Sequence, residues 1–393
     1  MTAQRCKDKT LAIGIDPGFD STKVVVNGTT FLIDKDVVES TGGMLGKKKD
    51  NYYKCTYEDG KEYYIGSYAR SAKTEKEKLE EYARKESFIN DYSYFETFDF
   101  EISTIAAIGI ALTEYEKDCK KMGLSPAIST EKSLNDWKIY LGVALPHGVY
   151  EKYTGLMKQK FAKLHSFLIE NSEKEYSIKF DIKPENVIVY SQAQCALIGA
   201  FSDENGIPDY NSVYFKKLPL LLIDGGYKTM GIFKFTRINT TTGGESNTEY
   251  AMSNAVERAV ERLNQMGAKQ VTRFNLEVYI NEYDGMVNTV KEDGSVEQVD
   301  AKQILNEEIE KTVDGFVDYL NEKYDNMIDI MQILLTGGTG ACYYEYFKKK
   351  LEEKKSHLKG NIRLTEYEFY GKPINPVFGV AVGMYKIVMN RCK

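Results

Sequence analysis

The chain has 393 residues, of which 42% are hydrophobic and 28% charged, proportions typical of a soluble globular protein with two or three domains. Its net charge of −6 gives no electrostatic indication of direct nucleic-acid binding. The six cysteines include no C-x-x-C pair, which favours isolated thiols over a disulfide scaffold or a zinc site. No stretch approaches the roughly 18 apolar residues of a membrane span, and the N-terminus lacks a signal sequence, so we expect a cytoplasmic location.

The first predicted element is a hairpin over Leu11–Lys23. An apolar strand leads to Asp16, a Pro17-Gly18 turn and a returning β-branched strand from Thr22. Glycine at such a turn lets backbone N–H groups approach a ligand, and successive N–H groups form an anion-binding nest. The carboxylate at this tip is therefore a candidate site for phosphate and metal.

The middle of the first half predicts alternating strands and helices. Residues 35–66 read as a small β-rich insertion, and the Gly/Lys stretch at 40–50 resembles a Walker A loop only superficially, because Lys48 stands where Ser or Thr would hold magnesium. Periodicity then predicts a charged helix or linker at Lys73–Lys85, a core helix at Phe100–Lys121, a strand at Trp137–Leu145, an amphipathic helix at Tyr150–Asn171, and a strand at Asn186–Tyr190 that runs into a small-residue helix at 191–201. This alternation indicates an α/β fold with mostly parallel sheets.

The second half repeats the plan. The apolar strand Leu220–Ile223 leads to Asp224, Gly225 and Gly226, and Thr229–Phe235 runs back. Two such hairpins in separate halves would place their aspartates on either side of one phosphate tail. Further on, the sequence predicts helices at Ser253–Gln265, Lys302–Tyr324 and Tyr343–Lys354, a strand at Met331–Leu335 before T-G-G-T-G (336–340), and a C-terminal helix at 375–386 capped by Asn375.

Five motifs therefore occur in order along the chain. They are D-P-G-F-D-S-T-K (16–23), S-Q-A-Q-C-A-L-I-G-A (191–200), L-L-L-I-D-G-G (220–226), L-L-T-G-G-T-G (334–340) and N-P-V-F-G-V-A-V-G (375–383). Together they resemble the nucleotide-site motifs of the actin-like ATPase superfamily, and the chain looks most like the bacterial plasmid-segregation actins of the ParM type. The resemblance implies the actin-like fold: two duplicated α/β domains with a nucleotide cleft between them, each with a smaller inserted subdomain.

The resemblance also implies domain limits. Domain I would cover 1–195, with a β-rich insertion at about 35–98, and would regain the C-terminal helix 375–393. Domain II would cover 196–374, with an insertion at about 240–330.

Roles for individual residues follow from the matched motifs. Asp16 and Asp224 would anchor Mg²⁺ through its waters, because Mg²⁺ dehydrates reluctantly. Gln192 would orient the attacking water, since a neutral amide cannot serve as a base, and Gln194 is the competing candidate. The remaining nucleotide-binding candidates are Gly18, Phe19, Asp20 and Lys23 in the first motif, Gly225, Gly226 and Tyr227 in the second hairpin, Glu261 near the purine and ribose, and Gly337, Gly338 and Thr339 at the adenosine end.

Some of these residues depart from the family pattern or have a plain structural alternative. Phe19 replaces a common Ser, Asp20 adds negative charge, and Tyr227 follows the second glycine pair, which puts the γ-phosphate contacts and the hydrolysis rate in question. Lys23 could instead be a solvated strand-end lysine and Glu261 a surface charge.

The leading functional hypothesis is a filament driven by ATP or GTP, whose hydrolysis to ADP or GDP destabilises the polymer. A DNA-binding adaptor at a plasmid centromere-like site would link the filament to DNA, so no direct contact with nucleic acid or membrane is expected. The alternative is a sugar or acid kinase, or a chaperone-like ATPase, of the same superfamily. Such kinases usually supply an Asp base, whereas the second motif offers Gln192.

Overall fold

The computed structural model describes residues 10–18, 20–40, 52–57, 60–87, 92–121, 123, 137–171, 175–209, 217–237, 240–291, 293–369 and 372–392. Phe19 and most of the Gly/Lys stretch at 40–50 lie outside these ranges. The chain forms two compact units, Met1–Tyr210 with Glu366–Lys393, and Asn211–Thr365. The domain limits expected at 195 and 374 both fall inside the first unit and, like the two insertions, stay a prediction.

The secondary structure follows the expected alternation, except that the C-terminal α-helix begins at Gly379 and Asn375 caps a short 3-10 turn before it. The strands are β1 (Thr10–Pro17), β2 (Ser21–Val26), β3 (Thr29–Asp34), β4 (Val37–Glu39), β5 (Tyr53–Thr56), β6 (Glu62–Ile65), β7 (Lys138–Leu145), β8 (Leu164–Glu170), β9 (Glu175–Asp181), β10 (Val187–Ser191), β11 (Leu220–Gly225), β12 (Met230–Arg237), β13 (Thr240–Asn247), β14 (Met286–Val290), β15 (Val296–Asp300), β16 (Gln332–Thr336), β17 (Ile362–Leu364), β18 (Tyr367–Phe369) and β19 (Lys372–Ile374). The helices are α1 (Ser67–Ala72), α2 (Glu75–Ser87), α3 (Phe98–Lys121), α4 (Tyr150–Phe161), α5 (Gln192–Phe201), α6 (Met252–Gln265), α7 (Leu276–Glu282), α8 (Ala301–Lys323), α9 (Gly337–Glu353) and α10 (Gly379–Arg391).

The main sheet of the first unit has the strand order β10-β7-β1-β2-β3. Strands β1, β2 and β3 are antiparallel, whereas β7 runs parallel to both β1 and β10. The β2–β3 turn is built on Asn27 and Gly28, which both have positive φ, as a tight two-residue hairpin requires. One face of β1 packs on α10 so closely that a Cβ on Gly14 would lie 2.4 Å from the Tyr385 backbone nitrogen.

A second sheet in the first unit corrects one sequence expectation. The helix expected over Tyr150–Asn171 ends at Phe161, and β8 begins at Leu164. From Leu164 the side chains alternate between exposed and buried, which is a strand period, and β8 pairs with both β5 and β9 in the order β4-β6-β5-β8-β9. The apolar residues of this segment fit one helical face as well as they fit a strand, and pairing with distant strands decides between the two.

The second unit repeats the topology of the first. Its sheet has the order β13-β12-β11-β16-β17, with β11, β12 and β13 antiparallel and with β16 parallel to β11 and to β17. A smaller two-stranded sheet, β14–β15, packs with α6, α7 and the start of α8 around Leu263, Val287 and Ala301. The α/β fold with an internal duplication is therefore confirmed, but the expectation of mostly parallel sheets is wrong, because each main sheet contains a three-stranded antiparallel meander.

Helix α9 begins at Gly337, six residues before the expected start at Tyr343, so residues 337–340 of the T-G-G-T-G motif form its first turn and Thr336 ends β16. In the described ranges, no helix combines the length and apolar character needed to cross a membrane.

Candidate active site

The carboxylate of Asp16 lies near the end of β1 and is held by two side chains. Its Oδ1 accepts a hydrogen bond from Gln192 Nε2 at 2.8 Å, and its Oδ2 lies 4.0 Å from Lys23 Nζ. Lys23 is the register partner of Asp16 across the β1–β2 hairpin, so the hairpin itself brings the two charges together. Asp16 is only 7% exposed, and such partners offset the cost of burying a carboxylate.

Gln192 reaches Asp16 because of the sheet topology. Strands β1, β7 and β10 are parallel, so their carboxyl ends meet at one edge of the sheet, where ligands bind in α/β proteins. Gln192 is the first residue of α5, directly after β10. An amide whose NH₂ group is bound to a carboxylate presents its oxygen as a hydrogen-bond acceptor, which suits it to orient a water molecule.

His147 lies at the same edge, where the sequence assigned no role to a histidine. Its Nδ1 is 2.8 Å from Oγ of the buried Ser191, the residue before Gln192. Burial lowers the pKa of His147, so the imidazole is neutral at pH 7. Only the parallel pairing of β7 with β10 brings His147 to this edge. Ser191 is the register partner of Leu145, which lies two residues before the histidine.

The glycine of the first hairpin lies directly under the lysine. The Gly18 amide donates to the Asp16 carbonyl at 3.0 Å, and a Cβ on Gly18 would lie 2.6 Å from Lys23 Nζ. Asp20 follows in the bend, and its carbonyl accepts from the Lys35 amide at 2.9 Å. Phe19 lies outside the described residues. The described part of this hairpin therefore combines a small residue, a cation and a carboxylate, as a phosphate and metal site requires.

In the second unit, the other hairpin contacts the T-G-G-T-G motif through its backbone. Asp224 is the register partner of Thr336, because β11 and β16 are parallel. A Cβ on Gly225 would lie 2.3 Å from the Gly340 nitrogen, and one on Gly337, which has φ +77°, would lie 2.4 Å from the Gly225 oxygen. Glycine is required at both positions by close backbone approach and, at Gly337, by the left-handed conformation as well.

Thr339 connects the same two segments. Its Oγ1 donates to the Gly226 carbonyl at 2.8 Å, and the residue is 4% exposed. Gly338, by contrast, is exposed in the first turn of α9. The side chain of Thr336 does not cap this helix, and the amides of a first helical turn attract anions.

Tyr227 and Glu261 lie further from this cluster. The Tyr227 carbonyl accepts from the Ser253 amide at 2.8 Å, which connects the hairpin to the start of α6. Glu261 is exposed on α6, eight residues beyond Ser253 and hence about 12 Å along the helix axis. The structure thus groups Asp224, Gly225 and Thr339 but does not bring Glu261 to them, and its contact with the purine stays a prediction.

The donor set at the two hairpins fits Mg²⁺, which prefers carboxylate oxygen and retains several waters. Within the described residues, no three His, Cys, Asp or Glu side chains are grouped as a metal cage. Each of the two aspartates, considered within its own unit, would therefore hold such an ion together with water and phosphate oxygens rather than enclose it.

Comparisons with known proteins place the fold. No family model and no curated protein matches the chain. Solved structures do match over nearly the whole length. The chain is similar to a 15-stranded ParM filament from Clostridium botulinum (TM-score 0.64, 15% identity, 96% of this chain and 99% of that one). It is also similar to the actin-like protein Alp7A (TM-score 0.65, 13% identity, 98% of this chain and 97% of that one). A third match is Bacillus thuringiensis ParM with AMPPNP (TM-score 0.58, 12% identity, 98% of this chain and 100% of that one). At these identities the likeness establishes the architecture, and the chain has the fold of the actin-like proteins.

Proposed function

We propose that the chain is a cytoplasmic actin-like ATPase that polymerises head to tail with Mg-ATP and whose filament is destabilised by hydrolysis. The observation that carries the proposal is the hydrogen bond from Gln192 to Asp16, which joins the second and first motifs at one sheet edge although 176 residues separate them. A Gln held by the metal-binding carboxylate is suited to orient water at the phosphates.

Each residue then has a role at an atom that the structure describes. Lys23 Nζ, which lies over Gly18, would neutralise phosphate charge. Gly225 would let a phosphate oxygen approach the backbone of the second hairpin, where the Gly226 amide already donates to the Thr229 carbonyl at 2.8 Å. Gln192 would hold the attacking water through Oε1 while its Nε2 remains bonded to Asp16. Mg²⁺ bound by Asp16 and Asp224 would offset the phosphate charge. The first turn of α9 would hold the adenosine end.

Polymerisation is proposed from the solved structures that share this fold. One matching structure is a ParM filament and another is ParM with AMPPNP, and both align with almost all of this chain. Head-to-tail contacts between identical subunits generate open filaments when the rotation does not close. We further propose that the filament moves plasmid DNA through a DNA-binding adaptor, which suits the net charge of −6. GTP is proposed as a second nucleotide.

The test compares two neighbouring glutamines on one helix. We expect Gln192→Ala to polymerise with Mg-ATP but to release phosphate about 10- to 100-fold more slowly than the wild type, because the water loses its orienting acceptor. Its light scattering should rise and stay high. Gln194→Ala is the matched control, since a residue two positions along a helix does not share its face, and it should hydrolyse ATP at about the wild-type rate.

Slow hydrolysis in the Gln194→Ala variant with normal hydrolysis in Gln192→Ala would reverse the assignment. ADP release that depends on an added sugar or acid, without polymer, would favour the kinase alternative instead.

A further inference from the structure

Lys35 is a buried cation at the first hairpin. It follows β3 and is only 3% exposed, which is rare for lysine because burial of a charge is costly. The five motifs do not include it, and it lies 12 positions beyond Lys23.

The contacts of Lys35 fall on both sides of the hairpin tip. Its Nζ donates to the Pro17 carbonyl at the end of β1, at 3.3 Å. Its backbone amide donates to the Asp20 carbonyl just before β2, at 2.9 Å. One residue therefore holds the β1 side and the β2 side of the tip at the same time.

Two aromatic rings lie close to the ammonium group. Lys35 Nζ lies 4.5 Å from the ring centroid of Tyr94 and 5.1 Å from that of the fully buried Phe100 in α3. Cations are attracted to the faces of aromatic rings, most strongly when water is excluded. The rings thus keep a positive charge in a low-dielectric position, where it acts more strongly on a nearby anion and is screened less by salt.

We propose that Lys35 is a positioning residue for nucleotide binding, which fixes the hairpin tip through Pro17 and Asp20 and adds a buried positive charge that favours the phosphates. This inference rests on the proposed function, because it requires the first hairpin to bind a nucleotide. Lys23 would attract the phosphates at the hairpin itself, and Lys35 would attract them from its buried position next to the hairpin tip.

The test uses the full chain and measures Mg-ATP binding by fluorescence of a labelled nucleotide. We expect Lys35→Met to lower ATP affinity at least about tenfold, because the variant keeps the apolar stem but loses both the donor and the charge. The matched control is Lys386→Met. Lys386 is equally buried at 3% exposure in the same unit, but its Nζ donates to the Gly199 and Ser202 carbonyls, away from β1. ATP affinity in this control should stay within about twofold of the wild type.

Urea unfolding of the nucleotide-free chain separates this role from a merely structural one. The single tryptophan, Trp137, packs on the core of the first unit and reports its unfolding. Replacement of a buried charge by an apolar side chain of similar volume is often neutral or stabilising, so the Lys35→Met midpoint should equal or exceed that of the wild type. If that variant does not fold, Lys35→Gln, which is neutral and polar, is expected to lower ATP affinity at least about threefold.

ATP affinity within twofold of the wild type in a folded Lys35 variant overturns the inference and leaves the proposed function intact. If the wild-type chain binds neither ATP nor ADP, both are overturned.

Discussion

At the residue scale, the buried carboxylate of Asp16 is stabilised by two side chains. Its two oxygens face an amide donor and a cation, Gln192 Nε2 and Lys23 Nζ. These partners offset the cost of burying the carboxylate without enclosing it, as the proposed metal role requires. We therefore expect Asp16→Asn to bind Mg-ATP more weakly than the wild type does.

Sequence patterns predict some of these residues and miss others for a physical reason. Asp16, Gly18 and Lys23 follow one strand and one turn, so their proximity is local and visible in the sequence. His147 contacts Ser191, and Lys35 contacts Pro17 of the first hairpin. Both contacts depend on strand order and side-chain packing, which no local sequence pattern contains. The choice between Gln192 and Gln194 likewise depends on helix phase relative to β1.

Lys386 gives a pH prediction for the first unit. Burial lowers the pKa of its amine to about 8, although Asp203, Glu204 and Glu368 act in the opposite direction. The unfolded chain, with a pKa near 10.5, then binds more protons than the folded chain between about pH 8 and about pH 10.5. Across this window the lysine's contribution to the free energy of unfolding should rise with pH, by about 3 kcal/mol at most.

The measurement is urea unfolding followed by Trp137 fluorescence, in the wild type and in Lys386→Met. The free energy of unfolding of the wild type, relative to that of Lys386→Met, should increase as the pH rises from about 8 to about 10.5. Below about pH 8 the difference between the two free energies should be constant. A difference that does not depend on pH would contradict the assignment.

At the element scale, helix packing near the site depends on one glycine. Helices α5 and α10 approach so closely that a Cβ on Gly383 would lie 1.6 Å from the Cys195 carbonyl oxygen. This contact fixes α5, whose first residue is Gln192. The small residues of the second and fifth motifs are therefore required by packing as well as by any ligand.

We expect Gly383→Ala to destabilise the first unit by about 3 kcal/mol or more, because backbone rather than a flexible side chain blocks the new methyl group. Gly155→Ala in α4 is the matched control. Gly155 is helical, exposed and without atoms near its would-be Cβ, so alanine there should stabilise by about 0.5–1 kcal/mol. Equal effects of the two substitutions on the urea midpoint would refute this packing argument.

The segment after Phe161 is predicted as a helix from its sequence pattern but forms a strand. Apolar residues in 164–171 fit a helical face, yet the segment forms β8 because β5 and β9 offer hydrogen-bond partners on both sides. Helices α6 and α8, whose periodic patterns are long, agree with the sequence to within one or two residues.

At the scale of the whole molecule, the two units carry the same strand plan. In each, a three-stranded antiparallel meander is followed by two parallel strands, and an aspartate stands at the end of the first strand of the meander. The repeated Asp-x-Gly hairpins predicted this duplication. The sequence could not predict that β8 and β9 complete the sheet of β4–β6, because those partners lie about a hundred residues away.

We propose that this fold couples ATP hydrolysis to polymerisation. The most direct measurement is light scattering of the wild-type chain, well above micromolar concentration, after addition of Mg-ATP, with phosphate release followed in parallel. The proposal predicts that scattering rises, and then decays as phosphate accumulates and ATP runs out. Scattering that stays flat while phosphate is released steadily would contradict it and would indicate an actin-like ATPase or kinase that does not polymerise.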